Sequence, residues 1–355
     1  MISLRTVALL LYVSILVGCG TAAPEDQQMR DQAAVGQDAD PRRRGVSAEP
    51  GGKFPLKGSN VVFYNVENLF DTADDPATND DDLLPNAEKE WTPERLSAKL
   101  DHLAQAIAMS GKDLPVLIGL CEVENRAVVE RLANEPALDP ITYAVSHQDS
   151  PDERGIDVAL LYDTDVFTLV STKALNVPLD NDRTRDILHT QLKAGGQIFH
   201  VFVNHWPSRR EGQAKSEPKR MVAAQVLREA VDAIAMNAST HVIIMGDFND
   251  GPRDRSIQVG LRAGCAPHGD ALVDLMCKDQ PEGSGSHQYD GAWEYLDQFV
   301  ISALLVDQVA SAGAVKDERL LFDHPRHGPS PDKTYSGDRY KGGYSDHLPI
   351  VLRFK

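Results

Sequence analysis

The feature that most constrains this chain is a series of short apolar runs, each bordered by a polar residue with chemical potential. Runs at 61–64, 116–120, 158–162, 198–203, 242–245, 298–301 and 350–354 have the length of buried strands and are too short for buried helices. Between the first two, Thr92 and Pro93 open a segment in which Leu96, Leu100, Leu103 and Ile107 share a helical face, and Gly111 stops it. A second, long helix is expected over 217–236. Strands alternating with helices make an α/β domain, and nothing after residue 60 interrupts the pattern, so one domain is expected over 59–355.

The residues at the strand ends carry the functional signal. Asn65 and Glu67 follow the first run, Glu122 the second, Asn204 and His205 the fourth, and Gly246-Asp247-Phe248-Asn249 the fifth. Asp297 opens the sixth, and Ser345-Asp346-His347 lead into the last. Taken singly, Asp and Asn are ordinary turn residues and Glu122 is an ordinary helix cap. Their recurrence at successive strand ends, where α/β folds gather ligands, points to a site. Glu67, Glu122, Asp247 and Asp346 offer hard oxygen ligands suited to Mg²⁺, Mn²⁺ or Ca²⁺ and not to zinc. Asn65 and Asn249 can donate to a phosphate oxygen or position a water, and a histidine oriented by a carboxylate relays protons near neutral pH. With no Ser or Cys nucleophile in the set, the chemistry indicated is attack of an activated water on a phosphate ester.

Charge narrows the partner. The 355 residues carry a formal net charge of −17, which works against holding nucleic acid or anionic lipid by bulk electrostatics, so local positive charge is required. Residues 71–90 hold eight acids and one lysine without EF-hand spacing, and are expected to form a solvated loop. At the N-terminus Arg5 precedes an apolar stretch, 7–17, too short to span a bilayer comfortably. It ends in Leu16-Val17-Gly18-Cys19, which resembles a bacterial lipobox, the alternative being cleavage near Thr21-Ala22-Ala23. Residues 1–18 are therefore expected to be a lipoprotein signal peptide, Cys19 the lipidated anchor, and the location the membrane, facing periplasm or exterior. Removing 1–18 takes away Arg5 and no acid, leaving −18. Residues 19–58 lack apolar periodicity and are expected to be a disordered tether. Outside the cytoplasm Cys265 and Cys277 are candidates for a disulfide, and Cys121 is expected to be a buried thiol.

At these residues the chain resembles the endonuclease/exonuclease/phosphatase superfamily, the DNase I-like fold. The motifs, in order, are Phe-Tyr-Asn-Val-Glu-Asn-Leu-Phe-Asp at 63–71, Gly-Leu-Cys-Glu-Val-Glu-Asn at 119–125 and Arg-Gly-Ile-Asp-Val-Ala-Leu-Leu-Tyr at 154–162. They continue with Asn-His-Trp-Pro-Ser-Arg-Arg at 204–210, Gly-Asp-Phe-Asn-Asp at 246–250, Leu-Asp at 296–297 and Gly-Tyr-Ser-Asp-His-Leu-Pro at 343–349. The resemblance implies a four-layer α/β sandwich, two central β-sheets flanked by helices, with the site across their top edge. It implies Glu122 as principal metal ligand, assisted by Asn65, Glu67 and Asp346. Asp247 and Asn249 would sit at the scissile phosphate, His347 would pair with Asp297, and His205 would be the second histidine, oriented by Glu153. Asn204, Arg209 and Arg210 are candidates to bind substrate. The activity implied is metal-dependent phosphodiester hydrolysis by a monomer, most like an exported nuclease. A phosphatase or phospholipase C-like enzyme on small esters or lipid headgroups is the alternative, and a non-catalytic surface lipoprotein a further one.

Overall fold

The computed structural model describes residues 53–236, 240–267, 272–277 and 283–355. The signal peptide, Cys19 and most of the expected tether lie outside them. Two mixed sheets form the centre. The first runs, in spatial order, Val309–Ala314, Ile350–Phe354, Asn60–Leu69, Leu117–Val123, Asp157–Asp163 and Tyr143–His147. The second runs Thr168–Leu175, Ile187–Ala194, Gln197–His205, Thr240–Asp247, Asp297–Ser302, Leu272–Asp274 and Ala263–Gly264. Most neighbours are antiparallel, but the centre of each sheet is a parallel pair: Asn60–Leu69 with Leu117–Val123, and Gln197–His205 with Thr240–Asp247. Parallel neighbours need a crossover, and helices supply it: α1 (Pro93–Ala108) in the first sheet and α3 (Gln213–Asp232) in the second. A short α2 (Arg126–Ala133) follows the Leu117–Val123 strand.

Side-chain alternation sorts the apolar residues into three cores and hence four layers. Val61 and Phe63 point between the sheets, where they meet Phe199, Met245 and Phe299. Val62 and Tyr64 point the other way, onto Leu96, Leu100, Leu103 and Ile107 of α1. Phe202, Val242 and Ile244 pack against Ala223, Ala224 and Leu227 of α3. The sheets approach closely at Gly119, where an added Cβ would stand 2.4 Å from the Met245 sulfur. This is the sandwich expected from the motifs.

Local chemistry explains the helix ends. The Thr92 hydroxyl accepts the Arg95 N–H, and Asn125, not Glu122, caps α2 by accepting the Val128 N–H at 2.9 Å. α3 begins earlier than the expected 217, because the Ser216 N–H already closes onto the Gly212 carbonyl ahead of Pro218. The domain also begins before residue 59. Leu56 is fully buried, and Phe54 packs edge-on against Phe354 at 5.1 Å, so these residues belong to the core and not to the tether. Six strands of the two sheets were not anticipated: Tyr143–His147, Thr168–Leu175, Ile187–Ala194, Ala263–Gly264, Leu272–Asp274 and Val309–Ala314. Cys265 and Cys277 are bridged, with Cα atoms 5.0 Å apart, and Cys121 is a buried free thiol.

Candidate active site

The two central parallel pairs deliver their C-terminal ends to one place. Asn65 and Glu122 come from the first sheet, His205 and Asp247 from the second, and the four line one cavity of about 760 Å³ with Asn249, Asp346 and His347. Irregular backbone aims several of them. Register shifts interrupt the pairing after Asn65 and after Cys121, and Glu67, Glu122 and Asn249 hold φ values of 49°, 62° and 51°. Non-glycine residues in the left-handed region are costly, by about 1–3 kcal/mol each, and gather where function demands an orientation.

Asp247 Oδ2 is the focus. It accepts the Asn65 amide N–H at 3.1 Å and lies 3.8 Å from His205 Nε2 and 3.9 Å from His347 Nε2. Its partner oxygen Oδ1 accepts the Asn249 N–H at 2.9 Å. Burial, reinforced by the nearby Asp297 charge and opposed by His347, pushes the Asp247 carboxyl up to about 6. The histidines differ sharply. His347 Nδ1 lies 2.7 Å from Asp297 Oδ2, and Asp297 is fully buried. Burial alone would lower the His347 pKa, but the Asp297 charge and hydrogen bond, with Asp247 and Asp346, raise it well above its ordinary value. His205 goes the other way: burial and the Arg185, Arg154 and Arg210 charges lower it well below the ordinary value, which keeps the ring neutral. Its Nδ1 is buried without a partner.

Glu122 is part-exposed; Oε2 accepts the Asn68 N–H at 3.1 Å, and Oε1 lies 3.8 Å from His205 Nε2. Asp346 is raised by burial and by the Glu122 charge, which places the two carboxylates within electrostatic reach. Neighbouring like charges with oxygen donors suit a hard divalent cation, and Glu122, Asp346 and the Asn65 carboxamide bring such donors to the same cavity. Acid and imidazole atoms also gather tightly around His347, in one set with Asp247 and Asp297 and in another with His287 and Asp346. In the first, His347 is hydrogen-bonded to Asp297 and stands 3.9 Å from Asp247 Oδ2.

Other expected roles change. Glu153 is exposed and makes no contact with His205; its carbonyl accepts the Asn79 N–H, while neighbouring Asp152 grips Arg185 at 2.9 Å. Arg185 in turn donates to the His205 and Trp206 carbonyls, so a cation, not a carboxylate, braces the histidine's backbone. Asn204 does not line the cavity. Its amide donates to the Met245 carbonyl and accepts the Trp206 indole N–H, so it joins strands rather than binding substrate. Arg209 is consumed by Glu294, Asp254, Asp250 and the Asn249 carbonyl. Glu67 accepts the Thr334 and Tyr335 N–H groups at 2.6 and 3.3 Å, which turns both its oxygens to that loop. The Asn249 amide nitrogen donates to the Trp206 carbonyl at 2.9 Å. Arg210 does face the cavity, as expected.

Lys99, like Arg185 and His287, was not anticipated near the site. Lys99 of α1 is buried, donates to Thr334 Oγ1 and to the Tyr344 carbonyl, and is lowered to about 8 by burial against the pull of Glu67, Asp346 and Glu122. The signal was present: Lys99 lies three residues after Leu96 and four before Leu103, on the apolar face.

Comparison with known proteins decides the family. The profile of the Endonuclease/Exonuclease/phosphatase family matches residues 60–355. The chain belongs to that family. No match was found among curated proteins. Among solved structures, a humanized D. rerio TDP2 is 15% identical with a TM-score of 0.54, covering 84% of this chain and 98% of its own. The mannosyl-6-phosphatase Bt3783 of Bacteroides thetaiotaomicron is 16% identical with a TM-score of 0.53, covering 84% and 99%. D. rerio TDP2 complexed with single strand DNA product is 16% identical with a TM-score of 0.52, covering 84% and 98%. At these identities the likeness is one of fold.

Proposed function

We propose that this family member is an exported, Mg²⁺-dependent phosphodiesterase acting on nucleic acid, anchored to the membrane through Cys19 and working as a monomer. The observation that carries the proposal is the convergence on Asp247 Oδ2 of Asn65 and two imidazoles with opposite protonation tendencies, beside Glu122. Two ionisable groups pushed in opposite directions are what acid–base work on one bond requires. A bound divalent cation, held by Glu122, Asp346 and Asn65, would neutralise charge on the phosphoryl oxygens. Asp247, fixed by Asn65 and the Asn249 N–H, orients the attacking water and takes its proton. His347, kept protonated by Asp297, donates a proton at the leaving oxygen. His205 stays neutral and hydrogen-bonds the phosphoryl group through Nε2. The likeness to a DNA-bound TDP2 supports a nucleic-acid substrate, and the likeness to a mannosyl-6-phosphatase keeps small monoesters in the test.

The test is a substrate panel: plasmid DNA, RNA, bis-p-nitrophenyl phosphate, sphingomyelin and sugar phosphates, each with Mg²⁺, Mn²⁺, Ca²⁺ or EDTA. Hydrolysis of the nucleic acids that needs the ion and is lost in Glu122→Ala is expected. Turnover confined to monoesters or lipids overturns the substrate assignment, and no chelator-sensitive turnover at all overturns the enzyme.

A further inference from the structure

Six cationic side chains line the cavity, and the protein itself occupies three of them. Arg185 is held by Asp152, Arg209 by Glu294 and Asp254, and Lys219 by Asp182 and Glu211. The others are differently placed. Arg183 and Arg210 are exposed, and among the described residues neither guanidinium has an ion pair or hydrogen bond. Arg154 has only a 3.5 Å contact with Asp152 Oδ1, on a carboxylate already taken by Arg185. These three arginines come from three separate loops, following Tyr143–His147, Thr168–Leu175 and Gln197–His205.

Beside them is an unsatisfied donor. Thr184, between Arg183 and Arg185, is 3% exposed and lines the same cavity, and its hydroxyl has no partner. A buried hydroxyl without a partner carries a desolvation cost that a ligand can relieve. The Arg154 and Arg210 charges reach His205, whereas those that reach His287 come from His347, Lys333 and Arg209. Arg154 and Arg210 therefore stand at the His205 end of the cavity, and Arg183 lies two residues before Arg185, which donates to the His205 carbonyl.

We propose that Arg154, Arg183, Thr184 and Arg210 form a second anion-binding subsite at the His205 end, taking a further phosphate of the substrate whose scissile phosphate lies at Asp247. Guanidinium forks match phosphate oxygens, and three cations with a hydroxyl suit a phosphate better than a carboxylate. In a chain of net charge −17, open arginines converging on one cavity supply the local positive charge that a polyphosphorylated substrate needs. The subsite rests on the proposed phosphodiesterase reading for the position of the scissile phosphate, and it narrows the substrate to esters carrying phosphates on adjacent units.

Calorimetric titration of the full chain with thymidine 3′,5′-bisphosphate, thymidine 5′-monophosphate and inorganic phosphate tests this. The wild type should bind the bisphosphate about ten-fold or more tighter than the monophosphate, since one charge-assisted contact is worth at least that. In Arg183→Gln/Arg210→Gln the ratio should fall to near one, and Thr184→Val, a near-isosteric change, should reduce it by about three-fold. A ratio near one in the wild type, or an intact ratio in the double variant, overturns the subsite. Inorganic phosphate binding lost in the double variant without any bisphosphate preference marks a free-anion site and also overturns it. If no ester is hydrolysed yet the preference holds, the phosphodiesterase reading fails and the subsite stands.

Discussion

Replacing Asp297 by Asn isolates the charge that sets His347. The substitution keeps the shape and one acceptor of a fully buried side chain whose Oδ2 lies 2.7 Å from His347 Nδ1. It removes the main interaction opposing burial, so the His347 pKa falls and the ring loses its proton at a lower pH. A hydrogen bond to a charged group contributes about 1.5–3 kcal/mol. A positioned proton donor contributes about 10²–10⁴-fold to rate. The expected loss in kcat at pH 7 is therefore about 10²–10³-fold. The assay is bis-p-nitrophenyl phosphate hydrolysis from pH 5 to 10, where the alkaline limb of kcat/KM should move to lower pH in the variant. The stability sign follows from the same shift. A histidine raised in the folded state stabilises below its unfolded pKa, and that contribution is lost as pH rises through its folded pKa. The melting temperature of Asp297→Asn should thus fall furthest below wild type at pH 5–6, and the deficit should shrink as the pH becomes alkaline. A variant that keeps half the wild-type kcat with an unmoved alkaline limb would refute the reasoning.

The remaining expectations concern the acid limb, the metal site, the Arg209 network and the contact between the sheets. Because burial raises Asp247 to about 6, kcat/KM should fall as pH drops through that region, with Asp247→Asn removing both the limb and the activity. Glu122→Gln should abolish the rise in melting temperature that Mg²⁺ gives the wild type, and an undiminished rise would place the ion elsewhere. Arg209→Ala leaves Asp254, Asp250 and Glu294 without their shared cation and should cost about 2 kcal/mol in urea unfolding. Gly119→Ala forces a Cβ to within 2.4 Å of the Met245 sulfur and should cost about 1–3 kcal/mol in urea unfolding.

Much of this architecture is legible in the residues because buried strands leave a dense apolar record. The runs at 61–64 and 242–245 are fully buried, and their polar termini stand out against them. Edge strands leave no such record. Thr168–Leu175 has no buried position, and Val309–Ala314 is small and half-exposed, so neither shows an apolar run or clean alternation. At the site, residues whose roles follow from their chemical type, such as Glu122, Asp247 and His347, are readable. Those whose roles depend on who reaches them first are not. Arg209 and Arg210 are neighbours of one type, yet three carboxylates claim the first and none claims the second. Asp152 and Glu153 are adjacent acids, and only the fold shows that Asp152 meets Arg185 while Glu153 faces solvent.

The central claim is direct attack of a water, activated at Asp247, on phosphorus. Its most direct test is the stereochemical course of hydrolysis of one diastereomer of a phosphorothioate diester, with different oxygen isotopes in substrate and water making the product's phosphorus chiral. A single in-line displacement by water predicts inversion. Retention would require a covalent enzyme intermediate and would contradict the account.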